Sequence, residues 1–263
     1  MEEVIWMQKV SAIAHRGFSS AAPENTLAAF KRAIELGPEM MECDVRRSRD
    51  GRLVVIHDAK VDRTTNGTGL VADMTLAEIK ALDAGSRFGP EFAGERIPTL
   101  EELLDLIKGT GVKLIIEIKE YGIEDQVVAI VQDKQVEDQI IIGSFHHKIG
   151  VRMPELDPKI PFSVIIAIDH PIGDEEAVRL ADEAAAQNCR LYALNYQAAT
   201  PAIIKAVHTG NMVMEVWTVD KEEDMRPMVE MGVDVIASNH LALLLRVLSD
   251  MGVRSDQRHA GVA

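Results

Sequence analysis

Residues 99–119 read TLEELLDLIKGTGVKLIIEIK and contain one helical pattern followed by one strand pattern. The stretch begins like a capping box, in which Thr99 and the glutamate three residues later, Glu102, cap the first turn of a helix. Gly109 is a typical helix stop, and the run 113–119 after it is β-branched and apolar, as in a buried strand. One helix followed by one strand is the repeating unit of folds with a parallel sheet.

The same alternation continues along the rest of the chain. A second helical pattern opens at 23–26 (PENT) and runs to Gly37, and a third opens at 200–201 (TP) and ends at Gly210. Strands that alternate with helices in this way are parallel and are joined by crossover helices. Short apolar runs give nine candidate strands, at 10–16, 40–46, 52–57, 113–119, 139–145, 161–168, 191–196, 212–219 and 233–238.

We predict a (β/α)8 TIM barrel, because nine candidate strands and 263 residues are close to the strand number and usual length of that fold. A doubly wound open sheet is the alternative, but no Gly-x-Gly-x-x-Gly motif follows a strand to support it. Residues 59–98 interrupt the alternation with a polar loop, a short helical pattern at 75–82 and a stretch rich in glycine and proline. Because this segment has few apolar residues, we expect one catalytic domain over 1–263, with 59–98 as a small insertion after the second strand region.

Charge and composition limit the possible partners. The net charge is −14, from 28 Lys+Arg against 42 Asp+Glu, so the long-range field repels nucleic acid and anionic lipid. A small phosphate ester stays possible, because a bound cation reverses the potential inside one cleft. No apolar stretch is long enough for a membrane anchor, and residues 1–6 lack the pattern of a signal peptide. We therefore expect a cytoplasmic protein whose cysteines, Cys43 and Cys189, are free thiols.

Carboxylates interrupt two of the candidate strands. In the run 40–46, the period of two places Glu42 and Asp44 on one face of the strand and Cys43 on the other. Glu117 interrupts a later strand in the same way. Because the helix-facing side of each strand needs apolar residues, we expect the carboxylates to face the barrel axis.

Three carboxylates that meet on one axis repel each other and would protonate without compensation. A divalent cation with oxygen ligands is the simplest compensation, and this ligand set favours Mg²⁺ or Ca²⁺, with Mn²⁺ also possible, over Zn²⁺. The alternative is a metal-free network in which Lys119 and Arg16 pair with the carboxylates.

Two histidines stand at the ends of candidate strands. His15 ends the first strand and His57 ends the third, and active sites of such barrels form at the C-terminal ends of the strands. Two imidazoles on the same rim as three carboxylates can act as an acid and a base. The other histidines have no such placement, and we interpret them as surface or packing residues.

In their order and spacing, these motifs resemble the signature of the glycerophosphodiester phosphodiesterases, in particular the cytosolic bacterial type. The resemblance covers roughly residues 10–240, and the ordered combination is specific although each motif is weak alone. The motifs are His15-Arg16-Gly17, PENT at 23–26, Glu42-x-Asp44, Asp50-Gly51, His57-Asp58, DRTTNGTG at 62–69, Ile116-Glu117-Ile118-Lys119, Ser144-Phe145, Trp217-Thr218-Val219 and Gly232-Val233-Asp234.

The resemblance implies a (β/α)8 barrel that hydrolyses glycerophosphodiesters to sn-glycerol 3-phosphate and an alcohol, a reaction of glycerol and lipid metabolism. Its partner would be this small-molecule substrate. The resemblance implies one bound divalent cation, held by Glu42, Asp44 and Glu117, and a catalytic acid and base, His15 and His57. The residues that it implies for substrate binding are Arg16, Lys119, Phe145 and Trp217.

Two other functions fit the same barrel. A lysophospholipase D-like or cyclising phospholipase would need an apolar rim for lipid, which Phe88, Phe92 and Ile97 of the insertion could supply. The negative net charge and the low aromatic content of 4% argue against a lipid substrate. A non-catalytic module that binds phosphodiesters would be expected to lack a metal or acid/base position, and none is missing.

Three features depart from the family pattern. The last strand ends in ASNH at 237–240, where the family usually has Thr-Asp, and Asp220 stands where asparagine is common. We expect both to lie on the rim opposite the metal. Glu215 adds a carboxylate on the strand face of Trp217. We expect it to be a structural partner of Lys119, and a polar contact to the substrate is the alternative.

Overall fold

The computed structural model describes residues 9–254. The strands are β1 (Ser11–Ala14), β2 (Met40–Arg47), β3 (Leu53–Val55), β4 (Lys113–Ile118), β5 (Ile140–Ser144), β6 (Phe162–Ile166), β7 (Cys189–Asn195), β8 (Val213–Trp217) and β9 (Val235–Ser238). They form one sheet in the order β1-β9-β8-β7-β6-β5-β4-β2-β3, and β1 also pairs with β2. Eight parallel strands therefore close into a barrel from which β3 is left out, and the predicted (β/α)8 barrel is confirmed.

A helix follows each barrel strand, and one further helix lies within residues 59–98. The helices are α1 (Leu27–Leu36), α2 (Leu76–Ala81), α3 (Leu100–Ile107), α4 (Glu124–Lys134), α5 (Lys148–Leu156), α6 (Asp174–Ala185), α7 (Pro201–Thr209), α8 (Glu222–Met231) and α9 (Leu241–Asp250). The three predicted helix starts are confirmed, because Thr26, Thr99 and Thr200 each accept a hydrogen bond from the backbone N–H three residues later. These caps fix where the chain turns back towards the next strand.

The third candidate strand is not a barrel strand. β3 runs antiparallel to β2, with Val55 opposite Val45 and Leu53 opposite Arg47. The tight turn between them contains Gly51, whose φ of 79° lies in the left-handed region that favours glycine. The reasoning that placed His57 at the C-terminal end of a barrel strand was therefore wrong. His57 reaches the rim because the hairpin extends beyond the barrel and folds back.

The inside of the barrel is divided into an apolar and a polar part. Buried side chains from six strands fill the part near the strand starts: Ile13, Met40, Ile115, Ile141, Leu191, Val235 and Ala237. Glu42 and Glu117 come two residues after Met40 and Ile115, so the strand period directs them to the same inner face, one layer higher. Cys43 belongs instead to the larger core between strands and helices, as the period predicts.

Residues 59–98 contain α2 and two short 3-10 turns, Val71–Asp73 and Pro90–Phe92. The helix predicted at 75–82 is thus confirmed, and Thr75 caps it in a capping box with Glu78. Buried side chains of this segment pack with β3 in a cluster of their own: Val54, Ile56, Val61, Val71, Ile79, Ala84 and Ile97. That the whole chain is one catalytic domain with 59–98 as an insertion stays a prediction.

Both cysteines, Cys43 and Cys189, are buried and free, as expected from the sequence. None of the helices within residues 9–254 is long and apolar enough to cross a membrane. The expectation of no signal peptide depends on residues 1–6, which lie outside the described residues.

The cap of α3 gives a test of the fold. Thr99→Ala removes the hydroxyl that accepts from the N–H of Glu102 at 3.2 Å, and should lower the free energy of unfolding by about 1 kcal/mol. Thr99→Ser keeps an accepting hydroxyl and is the matched control. The measurement is the urea midpoint of the three proteins, and equal midpoints for the alanine and serine variants would contradict this role of the cap.

Candidate active site

A cavity of about 270 Å³ opens at the C-terminal ends of the barrel strands. It is lined by eight of the nine site residues predicted from the sequence: His15, Arg16, Glu42, His57, Glu117, Lys119, Phe145 and Trp217. The ninth, Asp44, is fully buried and contacts Arg16 and Lys119. The barrel thus brings together residues that lie far apart in the sequence.

The carboxylates of Glu42, Asp44 and Glu117 form a compact buried group, in which one oxygen of each lies within 4.8 Å of the others. Asp44 and Glu117 are direct partners across the parallel ladder of β2 and β4. Burial raises the pKa of Glu42 well above its ordinary value, and the charges of Asp44 and Glu117 raise it further. The pKa of Glu117 is raised by burial and by Asp44. The predicted repulsion is therefore present.

Cations compensate part of this negative charge. Lys119 Nζ lies 2.5 Å from Glu117 Oε1 and 3.3 Å from Asp44 Oδ1. Arg16 Nε lies 3.2 Å from Asp44 Oδ2, which also accepts a hydrogen bond from Asn25 at 2.7 Å. Burial alone would raise the pKa of Asp44, but Arg16 and Lys119 outweigh it and hold the pKa below its ordinary value. The network of ion pairs with Lys119 and Arg16, which the sequence offered as the alternative to a cation, is therefore present around Asp44.

This network does not satisfy every carboxylate oxygen. Within residues 9–254, Glu42 Oε1 is buried and has no hydrogen-bond partner, and Asp44 Oδ1 is buried and has the ion pair with Lys119 but no hydrogen bond. A buried charged acceptor without a partner costs at least about 1–3 kcal/mol, and three convergent carboxylates are the hard oxygen donors that Mg²⁺, Ca²⁺ and Mn²⁺ prefer. The group can therefore bind a divalent cation, in addition to its contacts with Lys119 and Arg16.

A tight turn explains the motif His15-Arg16-Gly17. Arg16 and Gly17 both have left-handed backbone angles, with φ of 57° and 77°, and a side chain at Gly17 would come within 2.8 Å of Ala29. The turn directs the backbone N–H of Arg16 to Glu42 Oε2, at 3.0 Å. Glycine is thus required for the main chain to donate to the carboxylate group.

His15 is held by a chain of polar contacts. Its Nδ1 lies 2.8 Å from Asn239 Oδ1, and its Nε2 lies 3.8 Å from Glu42 Oε2. Asn239 donates from Nδ2 to Asp220 Oδ2 at 2.7 Å, which leaves its oxygen for the proton on His15 Nδ1. Burial, followed by the charge of Arg16, lowers the pKa of His15 to about 4. Asn239 and Asp220 therefore support His15, and the expectation that they form the opposite rim is wrong.

His57 has an acidic partner instead. Its Nδ1 lies 2.6 Å from Asp58 Oδ1, and Arg63 donates to Asp58 Oδ2 at 2.7 Å. Arg63 also donates to Glu24, which accepts from Arg16 at 2.9 Å. Burial lowers the pKa of His57, although the carboxylates of Asp44 and Asp58 oppose this. These contacts therefore connect the segment after β3, which contains Asp58 and Arg63, to the loop between β1 and α1, which contains Glu24.

A sequence model of the glycerophosphoryl diester phosphodiesterase family matches residues 15–243, from the first catalytic candidate into α9. The chain belongs to the glycerophosphoryl diester phosphodiesterase family. The family predicted from the motifs is confirmed, and with it the prediction of an enzyme, a glycerophosphodiester phosphodiesterase.

Relatives of this family match over nearly the whole chain. The glycerophosphodiester phosphodiesterase of Caldanaerobacter subterraneus is 39% identical over 249 residues, which cover 93% of this chain and 100% of the relative. One from Bacillus subtilis is 32% identical and covers 91% and 86%. The solved structure of an Oleispira antarctica phosphodiesterase in complex with the product sn-glycerol-3-phosphate has a TM-score of 0.82 at 28% identity, and the match covers 92% of this chain and 97% of that one.

Sequence reasoning missed several residues of the site in this member of the glycerophosphoryl diester phosphodiesterase family. Asp58, Arg63 and Glu24 were part of the motifs, but they received no role. The signal that could have identified Asp58 was its position directly after His57 in the sequence. For Asn239 and Asp220, the only signal was their departure from the family pattern.

The wall opposite the carboxylate group is aromatic. The rings of Phe145 and Trp217 meet edge to face, with centroids 5.9 Å apart, and Lys119 Nζ lies 5.8 Å from the Phe145 centroid. Below Trp217, Glu215 is buried and makes no ion pair with any residue in the described part of the chain. The expectation that it pairs with Lys119 is wrong, because Lys119 is occupied by Glu117 and Asp44.

Thermal stability tests the cation site. Adding Mg²⁺, Ca²⁺ or Mn²⁺ to the metal-free protein should raise its Tm. At a cation concentration a hundredfold above Kd, the free energy of unfolding should increase by about 2.7 kcal/mol. Glu42→Gln removes one of the repelling carboxylates, so the metal-free variant should be at least as stable as the wild type but gain little from the cation. Glu35→Gln, at an exposed site on α1, is the matched control. An equal gain for all three proteins would contradict the site.

Proposed function

We propose that the chain hydrolyses glycerophosphodiesters to sn-glycerol 3-phosphate and an alcohol, assisted by one divalent cation. The observation that carries this proposal is the cavity in which His15, His57 and the carboxylate group meet, in a chain of this family. The Oleispira antarctica relative, which matches 92% of the chain, was solved with sn-glycerol-3-phosphate as its product. The expected partner is therefore a small molecule.

Glu42, Asp44 and Glu117 would hold the cation, Mg²⁺ or Ca²⁺, with Mn²⁺ also possible. When bound, the cation supplies positive charge that stabilises the phosphate oxygens and lets the three carboxylates stay ionised together.

Arg16 and Lys119 supply further positive charge in the same cavity. Arg16 is oriented by Glu24 and Asp44, and Lys119 by Glu117 and Asp44. Cations that are held before the substrate arrives stabilise a charged transition state without the cost of reorganisation. Both side chains are therefore suited to bind the phosphate of the diester, whose charge increases on its non-bridging oxygens during the reaction.

The two imidazoles present the same ring atom to the cavity. Nδ1 of His15 is bonded to Asn239 and Nδ1 of His57 to Asp58, so Nε2 of each ring is available to the substrate. One ring removes the proton from the attacking oxygen, and the other donates a proton to the leaving alkoxide. Each transfer contributes on the order of 10²–10⁴-fold to the rate.

The alternative functions gain less support. Of the three apolar residues that could form a lipid rim, Phe92 and Ile97 are buried, and Phe88 alone is exposed. A lysophospholipase D-like or cyclising activity therefore has a smaller surface for lipid than the sequence allowed. A non-catalytic phosphodiester-binding module is disfavoured, because both histidines and all three carboxylates line or adjoin one cavity. A cytoplasmic location and the absence of a nucleic-acid partner stay predictions.

The proposed reaction is tested with glycerophosphocholine and lysophosphatidylcholine as parallel substrates. The wild type should release sn-glycerol 3-phosphate from glycerophosphocholine, measured enzymatically, and His15→Ala and His57→Ala should each lower kcat by at least about 10²-fold. His208→Ala is the control, since His208 also contacts a carboxylate, Asp234, but on the side of the strand starts. Turnover of the lysolipid alone, or full activity in both variants, would refute the proposal.

A second prediction concerns the contacts that orient His15. Asn239→Asp places two carboxylates together, and Asp220→Asn replaces Oδ2, which accepts from Asn239 Nδ2, with an NH₂ group that only donates, so each change should lower kcat about tenfold or more. The double variant Asp220→Asn/Asn239→Asp again pairs each donor with an acceptor and should recover most of kcat. A double variant as slow as the product of the two single losses would contradict this role.

A further inference from the structure

A group of polar atoms without partners lies on the cavity wall formed by β6 and β8. Glu215 Oε2, Ser163 Oγ and Trp217 Nε1 are all buried, and none has a hydrogen-bond partner among the described residues. Glu215 is 6% exposed and Ser163 is 1% exposed, and all three residues line the cavity. Buried polar groups in native proteins are nearly always bonded, so three exceptions in one cavity indicate a ligand.

No structural role accounts for Glu215. The charged group that acts on it is Glu117, which has the same sign, and no cation pairs with it within residues 9–254. Burial, assisted by Glu117, raises the pKa of Glu215 to about 8. It also lies outside the group of carboxylates suited to a cation, which consists of Glu42, Asp44 and Glu117.

There is space for a ligand beside Glu215. Ala193 is its direct partner on β7, and Ala237 lies on β9 at the other side, so both neighbouring strands present small side chains to the cavity. A carboxyl oxygen accepts, a serine hydroxyl donates and accepts, and the indole N–H donates. This combination is complementary to neighbouring hydroxyl groups, which also donate and accept.

We propose that Glu215 and Ser163, with the indole N–H of Trp217, form a subsite that binds the free hydroxyl groups of the substrate's glycerol moiety. The inference rests on the proposed function and deepens it, because it identifies the residues that distinguish a glycerol diester from a diester without hydroxyls. A site built to bond a hydroxyl discriminates strongly against the analogue that lacks it, since its buried polar groups are then left unpaired.

The test is calorimetric binding of sn-glycerol 3-phosphate and of propyl phosphate, which lacks both hydroxyls, to the full chain saturated with Mg²⁺. The wild type should bind glycerol phosphate about tenfold to a hundredfold more tightly than propyl phosphate. Glu215→Leu should bind both with the affinity of propyl phosphate, and Ser163→Ala should lose part of the preference. Glu215→Gln, which keeps an accepting oxygen at the same place, should keep most of it.

The same variants separate a binding role from a structural one. Glu215→Leu removes a buried carboxyl without a partner and should raise Tm, whereas a structural role predicts that it falls. Equal binding of the two ligands by the wild type, or an unchanged preference in Glu215→Leu, would overturn the subsite. Failure of both ligands to bind the wild type would instead refute the proposed function itself.

Discussion

The mutual repulsion of three buried carboxylates, Glu42, Asp44 and Glu117, is the constraint on which the site depends. Their oxygens lie within 4.8 Å of one another, where burial makes unpaired negative charge costly. Arg16 and Lys119 stabilise Asp44, but Glu42 Oε1 has no hydrogen bond from any residue that the structure describes. A folded chain keeps such an arrangement only where function requires it, and a bound cation is the partner that the geometry fits.

The barrel makes this arrangement possible through its strand period. An apolar layer closes the barrel near the strand starts, and the next inward positions of β2 and β4 carry Glu42 and Glu117. The parallel ladder sets Asp44 beside Glu117, and the left-handed turn at Arg16 adds a main-chain donor to Glu42. The same sheet positions Glu215 on another wall of the cavity, where its carboxyl group pairs with no cation among residues 9–254.

Local sequence patterns predicted the features that depend on neighbouring residues, namely the faces of a strand and the starts of helices. The period of two placed Glu42 and Cys43 on opposite faces, and the threonine caps gave the helix starts. The direction of β3 was not predictable in this way, because it depends on pairing with β2 across a tight turn. The contact of His15 with Asn239 spans 224 residues and that of Glu24 with Arg63 spans 39, so no local pattern reveals either.

The central claim is that the carboxylate group works with a bound cation in the hydrolysis of glycerophosphodiesters. The most direct measurement is sn-glycerol 3-phosphate release from glycerophosphocholine by protein stripped of metal with EDTA, before and after Mg²⁺, Ca²⁺ or Mn²⁺ is restored singly. We predict that the stripped protein is inactive and that at least one of these cations restores turnover. Full activity in the stripped protein would contradict the account, because Lys119 and Arg16 would then suffice to balance the carboxylates.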